Sequence, residues 1–312
     1  MCILVTGGAG FIGSHVAEAF LAKDHEVVVV DNLQSGFVNN LPPRATFINA
    51  DICDAALMRA IFHDFRPEVV SHHAAQIDVM ASLQDPAGDA RTNIEGGLNV
   101  WQAAHDCGSR RFIFASSGGA LYGDSRQLPT PEDIEARPIS PYGMAKLAFE
   151  RYLLLLYSLG GPIPVILRYS NVYGPRQGRV GEAGVISAFA KQLANGEDCT
   201  IYGDGSMTRD YVFVRDVAQA NCAALTDSVS GVFNIGTGTQ TSTLELLDRM
   251  CRLVGNPAPK LQHAPERLGE VRFSCLDTSL AKQVLGWEAQ TSLEVGLREV
   301  LLSAGCRDAI GV

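Results

Sequence analysis

Apolar, β-branched runs recur along the first half of the chain, at Ile3–Thr6, Val27–Val30, Ala45–Asn49, Glu68–His72, Arg111–Ala115 and Val165–Arg168. Between them the apolar residues return with the period of a helix. Strand and helix in alternation predict a parallel sheet, since each strand can run alongside the last only after a crossover. The run Val27-Val28-Val29-Val30 is apolar at every position, as in a strand covered by helices on both faces. Together these patterns predict a doubly wound α/β fold of the Rossmann type.

Beyond about Pro175 the alternation weakens. Glycine-rich connections enclose a helical stretch near Val185–Asn195, a short strand at Thr200–Tyr202 and helices near Val217–Ala224 and Thr243–Leu253. A smaller, discontinuous C-terminal substrate domain is expected from 173–208 and 251–312, with the larger domain taking 1–172 and part of 209–250. No repeat with a period of roughly 20–50 residues is present, which disfavours a solenoid.

Composition narrows the function classes. Of 312 residues 46% are apolar and 19% charged, a balance that can bury a core. Lys+Arg 25 against Asp+Glu 34 gives a net charge of −9, so no broad cationic face is expected and nucleic acid is excluded as a partner. The eight cysteines are spread evenly with no Cys-x-x-Cys pair, which predicts neither a zinc knuckle nor a redox dithiol, and no metal site. Buried free thiols in a reducing cytoplasm are the expectation. The opening Met-Cys-Ile-Leu-Val-Thr meets glycine at Gly7, too soon for a signal peptide or membrane span, so a cytoplasmic location is expected.

Candidate chemistry begins where the first strand runs into Thr6-Gly7-Gly8-Ala9-Gly10-Phe11-Ile12-Gly13. Gly7, Gly10 and Gly13 suit a tight turn, a close backbone approach to a pyrophosphate and close packing of the next helix. The second strand ends in Asp31, where an acid can accept hydrogen bonds from an adenosine ribose. A carboxylate there repels a 2′-phosphate and no arginine follows it, so NAD is preferred over NADP as cofactor; a solvated strand-end acid is the plainer reading of Asp31. Asp51 and Ile52, after the third strand, stand where a carboxylate can meet the adenine amino group, or where an ordinary turn needs an aspartate.

A second constellation lies in Pro141-Tyr142-Gly143-Met144-Ala145-Lys146. Four residues apart on a predicted helix, Tyr142 and Lys146 share one face. A phenol with an ordinary pKa near ~10 is a poor base at neutral pH, but a neighbouring ammonium brings its phenolate into working range.

TGGAGFIG (6–13), Asp31, HHAAQ (72–76), Asn93, SSGGALYG (116–123), SPYGMAK (140–146), RYSNVYGPRQ (168–177), RDYVFVRDVA (209–218) and NIGTG (234–238) occur in that order. In this the chain resembles the extended short-chain dehydrogenase/reductases across nearly its whole length. Within them it is similar to the NAD-dependent epimerase/dehydratase group, and most to the UDP-glucose (UDP-galactose) 4-epimerases. The resemblance implies NAD-dependent C4 epimerisation of a nucleotide-sugar, a UDP-hexose, through a transient 4-keto sugar, with Tyr142 as base and Lys146 beside it. It implies cofactor contacts from Gly7, Gly10, Phe11, Ile12, Gly13, Asp31, Asn32, Leu33, Ser35, Gly36, Asp51, Ile52, His73, Ala74, Ala75, Gln76, Asn93, Ser116, Tyr142, Lys146 and Tyr169. Substrate contacts are implied at Ser117, Tyr142, Asn171, Arg209, Arg267, Glu270 and Ser274, the last lining the sugar's C2 side with room for an N-acetyl group.

One departure stands out. Relatives place a serine or threonine four residues before the tyrosine of their Tyr-Gly pair, where this chain has Gly118. Ser117, Ser116 or a relaying water could supply that hydroxyl. Related dehydratases carry an Asp-Glu pair where Gly119 and Ala120 stand, which favours epimerisation. Another nucleotide-sugar oxidoreductase or dehydratase, or a non-catalytic NAD-sensing protein, are the alternatives. His72 and His73 do not suggest a metal, since adjacent strand residues point to opposite faces; one is expected to line the cofactor side. Tyr122, Tyr169 and Tyr173 are expected as pocket walls or core. Segments near Asn93–Cys107 and Lys146–Leu159 suggest a homodimer paired through a four-helix bundle, as in the family.

Overall fold

The computed structural model describes residues 1–125, 127–178, 184–255, 260–266 and 271–306. In chain order the elements are β1 (Cys2–Thr6), α1 (Phe11–Ala22), β2 (Glu26–Asp31), β3 (Thr46–Asn49), α2 (Ala55–Phe65), β4 (Val69–His72), α3 (Val79–Gln84) and α4 (Pro86–Ala90). A wide turn of π-helix, Arg91–Gly96, then leads into α5 (Gly97–Cys107), β5 (Arg111–Ser117), α6 (Gly118–Leu121), α7 (Pro141–Ser158) and β6 (Ile163–Tyr169). There follow β7 (Asn171–Tyr173), α8 (Val185–Asn195), β8 (Cys199–Tyr202), β9 (Thr208–Phe213), α9 (Val214–Ala223), β10 (Gly231–Ile235), β11 (Gln240–Ser242), α10 (Thr243–Leu253), β12 (Leu261–Ala264) and α11 (Leu293–Ser303).

Seven strands form one parallel sheet in the order β10-β6-β5-β4-β1-β2-β3. The valine run of β2 shows why it is apolar throughout. Val27 and Val29 join Ile3, Val5 and the α1 residues Val16 and Phe20 on one face, while Val28 and Val30 join Leu4, Met58 and Phe149 on the other. With period 2, each strand feeds both cores, and a buried valine contributes roughly 1.5–3 kcal/mol. Every strand expected from the sequence is present, and β10, on the outer edge beside β6, extends the sheet further.

A third apolar cluster joins Tyr173, Ile186, Phe189, Phe213, Leu246, Met250 and Leu297, and so binds α8, α10 and α11. Two small sheets, β11-β9-β7 and β12-β8, lie with it. The segment 214–235 belongs to the large sheet instead: α9 packs on α1 and β10 pairs with β6.

The direction of winding reverses between β1 and β4, and ligands of doubly wound sheets settle in the crevice at such a point, outside the strands' carboxyl ends. Thr6, at the end of β1, ties the two edges of that crevice together. Its hydroxyl accepts from the His73 and Ala74 N–H groups at 3.2 Å each and meets His72 Nδ1 at 2.7 Å.

Candidate active site

The turn after β1 is built from backbone. Gly7 has φ +68°, and a Cβ there would lie 2.6 Å from the Ala74 nitrogen; one on Gly13 would lie 2.2 Å from the Gly7 oxygen. Only glycine lets the chain turn this sharply and bring α1 this close. At its N-terminus α1 has Gly10 as cap residue, with no side-chain cap and no acid in the first turn. The leading amides of α1, at Phe11, Ile12 and Gly13, therefore face outward with the positive end of the helix behind them.

Asp31 is buried behind this turn. Its Oδ2 accepts the Ala9 N–H at 3.0 Å and its Oδ1 the Leu33 N–H at 2.8 Å. The loop Asn32–Gly36 wraps over it, and a Cβ on Gly36 would come within 2.9 Å of Asp31 Oδ1. Ser35 is exposed at the loop's crest. Asn32 donates to Asp51 Oδ2 at 2.9 Å, so the ends of β2 and β3 form one edge, with Ile52 buried beneath. A cradle of bare backbone bounded by two carboxylates fits a dinucleotide.

Across the crevice, His73 stacks on Tyr169 with 6.4 Å between ring centroids and bonds Ser71 through Nε2, while its Nδ1 is buried without a partner among the described residues. His72 packs among Phe112, Phe114 and Phe149. Burial lowers both pKa values, that of His73 to about 3, so both rings are neutral at pH 7. Beyond Ala74 and Ala75, Asn93 fixes the Gln76 peptide, with its Oδ1 accepting the Gln76 N–H and its Nδ2 donating to the Gln76 carbonyl, both at 2.9 Å.

The catalytic candidates hang from β5 and α7. Ser140 caps α7, accepting the Gly143 N–H at 3.2 Å, and Pro141 opens its first turn, which sets the register of Tyr142 and Lys146. Lys146 is 4% exposed. Its Nζ donates to the Ala115 carbonyl at 3.0 Å and sits 4.8 Å from the Phe114 ring centroid and 5.9 Å from that of Tyr142. Burial pulls its pKa down to about 8, against the fields of Asp89 and Glu150, which raise it. One turn beyond Lys146, Glu150 accepts from Nε and Nη2 of Arg168, at 2.6–3.2 Å, and from the Ser116 hydroxyl at 2.5 Å. This buried pair locks α7 onto β5 and β6, and removing one partner costs about 3–5 kcal/mol.

Ser116 is therefore turned away and committed to Glu150, whereas Ser117 lines a cavity of about 330 Å³ together with Tyr142. At Gly118 a Cβ would meet Leu276 Cδ1 at 2.5 Å, so a side chain there requires Leu276 to move aside. Ser117, the last residue of β5, places a hydroxyl on the cavity wall one residue before Gly118, and the one-turn helix α6 follows before Tyr122.

The cavity lies between the sheet and the third apolar cluster. Asn171 and Arg209 line it, as does Gln177, which the sequence reading passed over. Asn171 Oδ1, Gln177 Oε1 and Ser170 Oγ are buried without a hydrogen-bond partner among the described residues. Arg209 donates to the carbonyls of Thr208 and Arg272. Ser274 is not a wall residue; it is buried behind, its N–H donating to the Thr208 carbonyl at 3.2 Å. Arg267 and Glu270 lie outside the described residues. No described lining residue is Asp or Glu. Tyr173 is a wall residue, while Tyr122 and Tyr169 are held inside by Asn234 and Asn221.

The sequence profile of the NAD dependent epimerase/dehydratase family matches residues 3–236. A UDP-glucose 4-epimerase of Mycolicibacterium smegmatis is 43% identical over 307 residues, covering 96% of this chain and 97% of the relative. The crystal structure of a UDP-glucose 4-epimerase from Thermotoga maritima with UDP-glucose superposes with a TM-score of 0.94 at 46% identity, covering 97% of this chain and 98% of the other. That of Thermus thermophilus UDP-glucose 4-epimerase in complex with NAD gives 0.92 at 42%, over 97% and 99%.

Proposed function

The chain belongs to the NAD-dependent epimerase/dehydratase family, and from that premise we propose that it interconverts UDP-glucose and UDP-galactose by inverting C4 through a 4-keto sugar. The observation that carries this reading is the shared wall: Tyr142 and Ser117 face one cavity while the Lys146 ammonium is buried beside the phenol ring.

NAD, when bound, would supply the hydride acceptor and donor that inversion at the sugar C4 requires. The glycine turn, Asp31 with Asn32–Gly36, Asp51 and Ile52, and the strand-end segment 73–76 are the residues that would hold it. Tyr142 takes the proton of the sugar 4-hydroxyl and gives it back; Ser117 bonds that oxygen; the Lys146 charge favours the phenolate. Arg209 suits a diphosphate oxygen because its planar fork can donate twice. The unpartnered oxygens of Asn171 and Gln177 await donors, such as sugar hydroxyls or a base N–H. In this division, 1–172 with part of 209–250 serves the cofactor, and 173–208 with 251–312 the nucleotide sugar.

A dehydratase needs an acid at the sugar's far carbons. Gly119 and Ala120 occupy that wall, and no described lining side chain is a carboxylate. We also propose that the N-acetylated sugars are accepted, supported by the likeness to a UDP-N-acetylglucosamine 4-epimerase from Methanobrevibacter ruminantium, TM-score 0.90 at 33% identity; turnover of UDP-N-acetylgalactosamine beside UDP-galactose tests it. Two copies pairing through α5 and α7 would cover Tyr152 and Leu155, which are 43% and 56% exposed. Eight unpaired cysteines support a reducing, cytoplasmic location. Among the described residues no helix is long and apolar enough to cross a membrane.

The test is product analysis. NAD-loaded protein given UDP-galactose should yield UDP-glucose without accumulating NADH. Stoichiometric NADH, or a stable 4-keto-6-deoxy product, would replace this reading with a dehydrogenase or a dehydratase.

A further inference from the structure

Lys146 is surrounded by ionisable groups, most of which are already paired or neutral. On α7 itself, Glu150 is neutralised by Arg168 of β6. His72 and His73, at the end of β4, are neutral. β5 offers the Ala115 carbonyl and the Phe114 ring. The π-turn packed on α7 carries Arg91 and Glu95, both exposed, and α3 and α6 carry no ionisable side chain. Asp78 and Asp85 cap α3 and α4.

Asp89, on α4, is different. It is 2% exposed. Its Oδ1 accepts from Gln76 Nε2 at 2.9 Å and from Asn93 Nδ2 at 3.0 Å, while its Oδ2 is buried with no hydrogen-bond partner among the described residues. No arginine or lysine among the described residues forms a salt bridge with it. A carboxylate buried in this way is unfavourable unless a cation compensates it. α4 packs directly against α7, the helix that carries the buried Lys146.

We propose that Asp89 is the counter-charge of Lys146, a positioning residue that holds the ammonium protonated beside Tyr142 and, through Gln76 and Asn93, anchors that charge to the strand end after β4. The proposal rests on the reading of Tyr142 and Lys146 as the proton-handling pair. After burial, the Asp89 field is the foremost influence on Lys146 and raises its pKa; burial raises the pKa of Asp89, against which the Gln76 hydrogen bond and then the Lys146 field act. Asparagine at 89 would keep an acceptor for Gln76 and Asn93 and delete only the charge.

Lysine Cε/Nζ resonances of the NAD-bound protein, assigned with Lys146→Arg, read the Lys146 midpoint directly. Asp89→Asn should move it down by about one pH unit or more, and the alkaline limb of kcat/KM for UDP-galactose should move down with it. An unchanged or raised midpoint overturns the proposal, as does an activity loss equal at every pH with the midpoint unmoved. Should Asp89→Asn not fold, the reciprocal measurement decides: the Asp89 carboxyl midpoint should rise in Lys146→Met and stay in Lys146→Arg, because such coupling acts equally on both partners. An equal midpoint in the two variants overturns it. A protein that titrates as expected yet does not epimerise would defeat the reading of the reaction and leave the role of Asp89 standing.

Discussion

At the head of α1 the groups that face outward are backbone amides, set by glycines within a dozen residues of one another. Around Tyr142 they are side chains, carried by segments as far apart as Ile77 and Val271. The first region owes its shape to the absence of Cβ atoms; the second owes its charge to buried partners such as Glu150 and Arg168, each useless without the other. A backbone site is hard to retune and binds what many relatives bind. A side-chain site can change its ligand by small substitutions while the scaffold stays.

The largest effect expected from this contrast is on the side-chain site. Tyr142→Phe should lower turnover by about 10²–10⁴-fold, while thermal stability and NAD binding stay at wild-type values; near-normal turnover would remove Tyr142 as the base. Next comes Glu150→Ala, which leaves Arg168 buried without its carboxylate and should destabilise the fold by about 3–5 kcal/mol in chemical denaturation.

The backbone site should answer differently. Gly13→Ala places a methyl against the Gly7 carbonyl, with an expected cost of about 1–3 kcal/mol and a loss of the stabilisation that added NAD confers on melting. A variant that still gains full stabilisation from NAD would show that this turn does not carry the cofactor.

A pH dependence sharpens the comparison further. Lys146 carries its proton below about 8 and loses it as pH rises through that value. kcat/KM should therefore fall on the alkaline side of about 8, whereas NAD affinity, resting chiefly on the backbone amides of the glycine turn, should change far less. The smallest effect is expected at the outer face of α7: Leu155→Glu should shift sedimentation from dimer toward monomer with little change in turnover.

The same contrast decides what could be read from the chain. The glycine turn and Asp31 were legible because their geometry is local, and Tyr142 with Lys146 because a helix repeats every 3.6 residues. Glu150, four residues further along that face, carried the same signal and went unread. Asp89 carried none, since only the packing of α4 on α7 brings it near. Gly118 looked like a lost hydroxyl because spacing was counted back from Tyr122; the structure shows Ser117 at the cavity and Leu276 filling the space beside Gly118. Ser274 was expected in the wall and lies behind it, a difference set by how the segment after Val271 passes Thr208.

The fate of one hydrogen tests the proposed reaction most directly. UDP-galactose carrying deuterium at C4, turned over by the NAD-loaded protein in ordinary water, should give UDP-glucose with the deuterium still at C4. Loss of the label to solvent during interconversion would contradict it, because C4 would then have exchanged a proton with water rather than received its own hydrogen back.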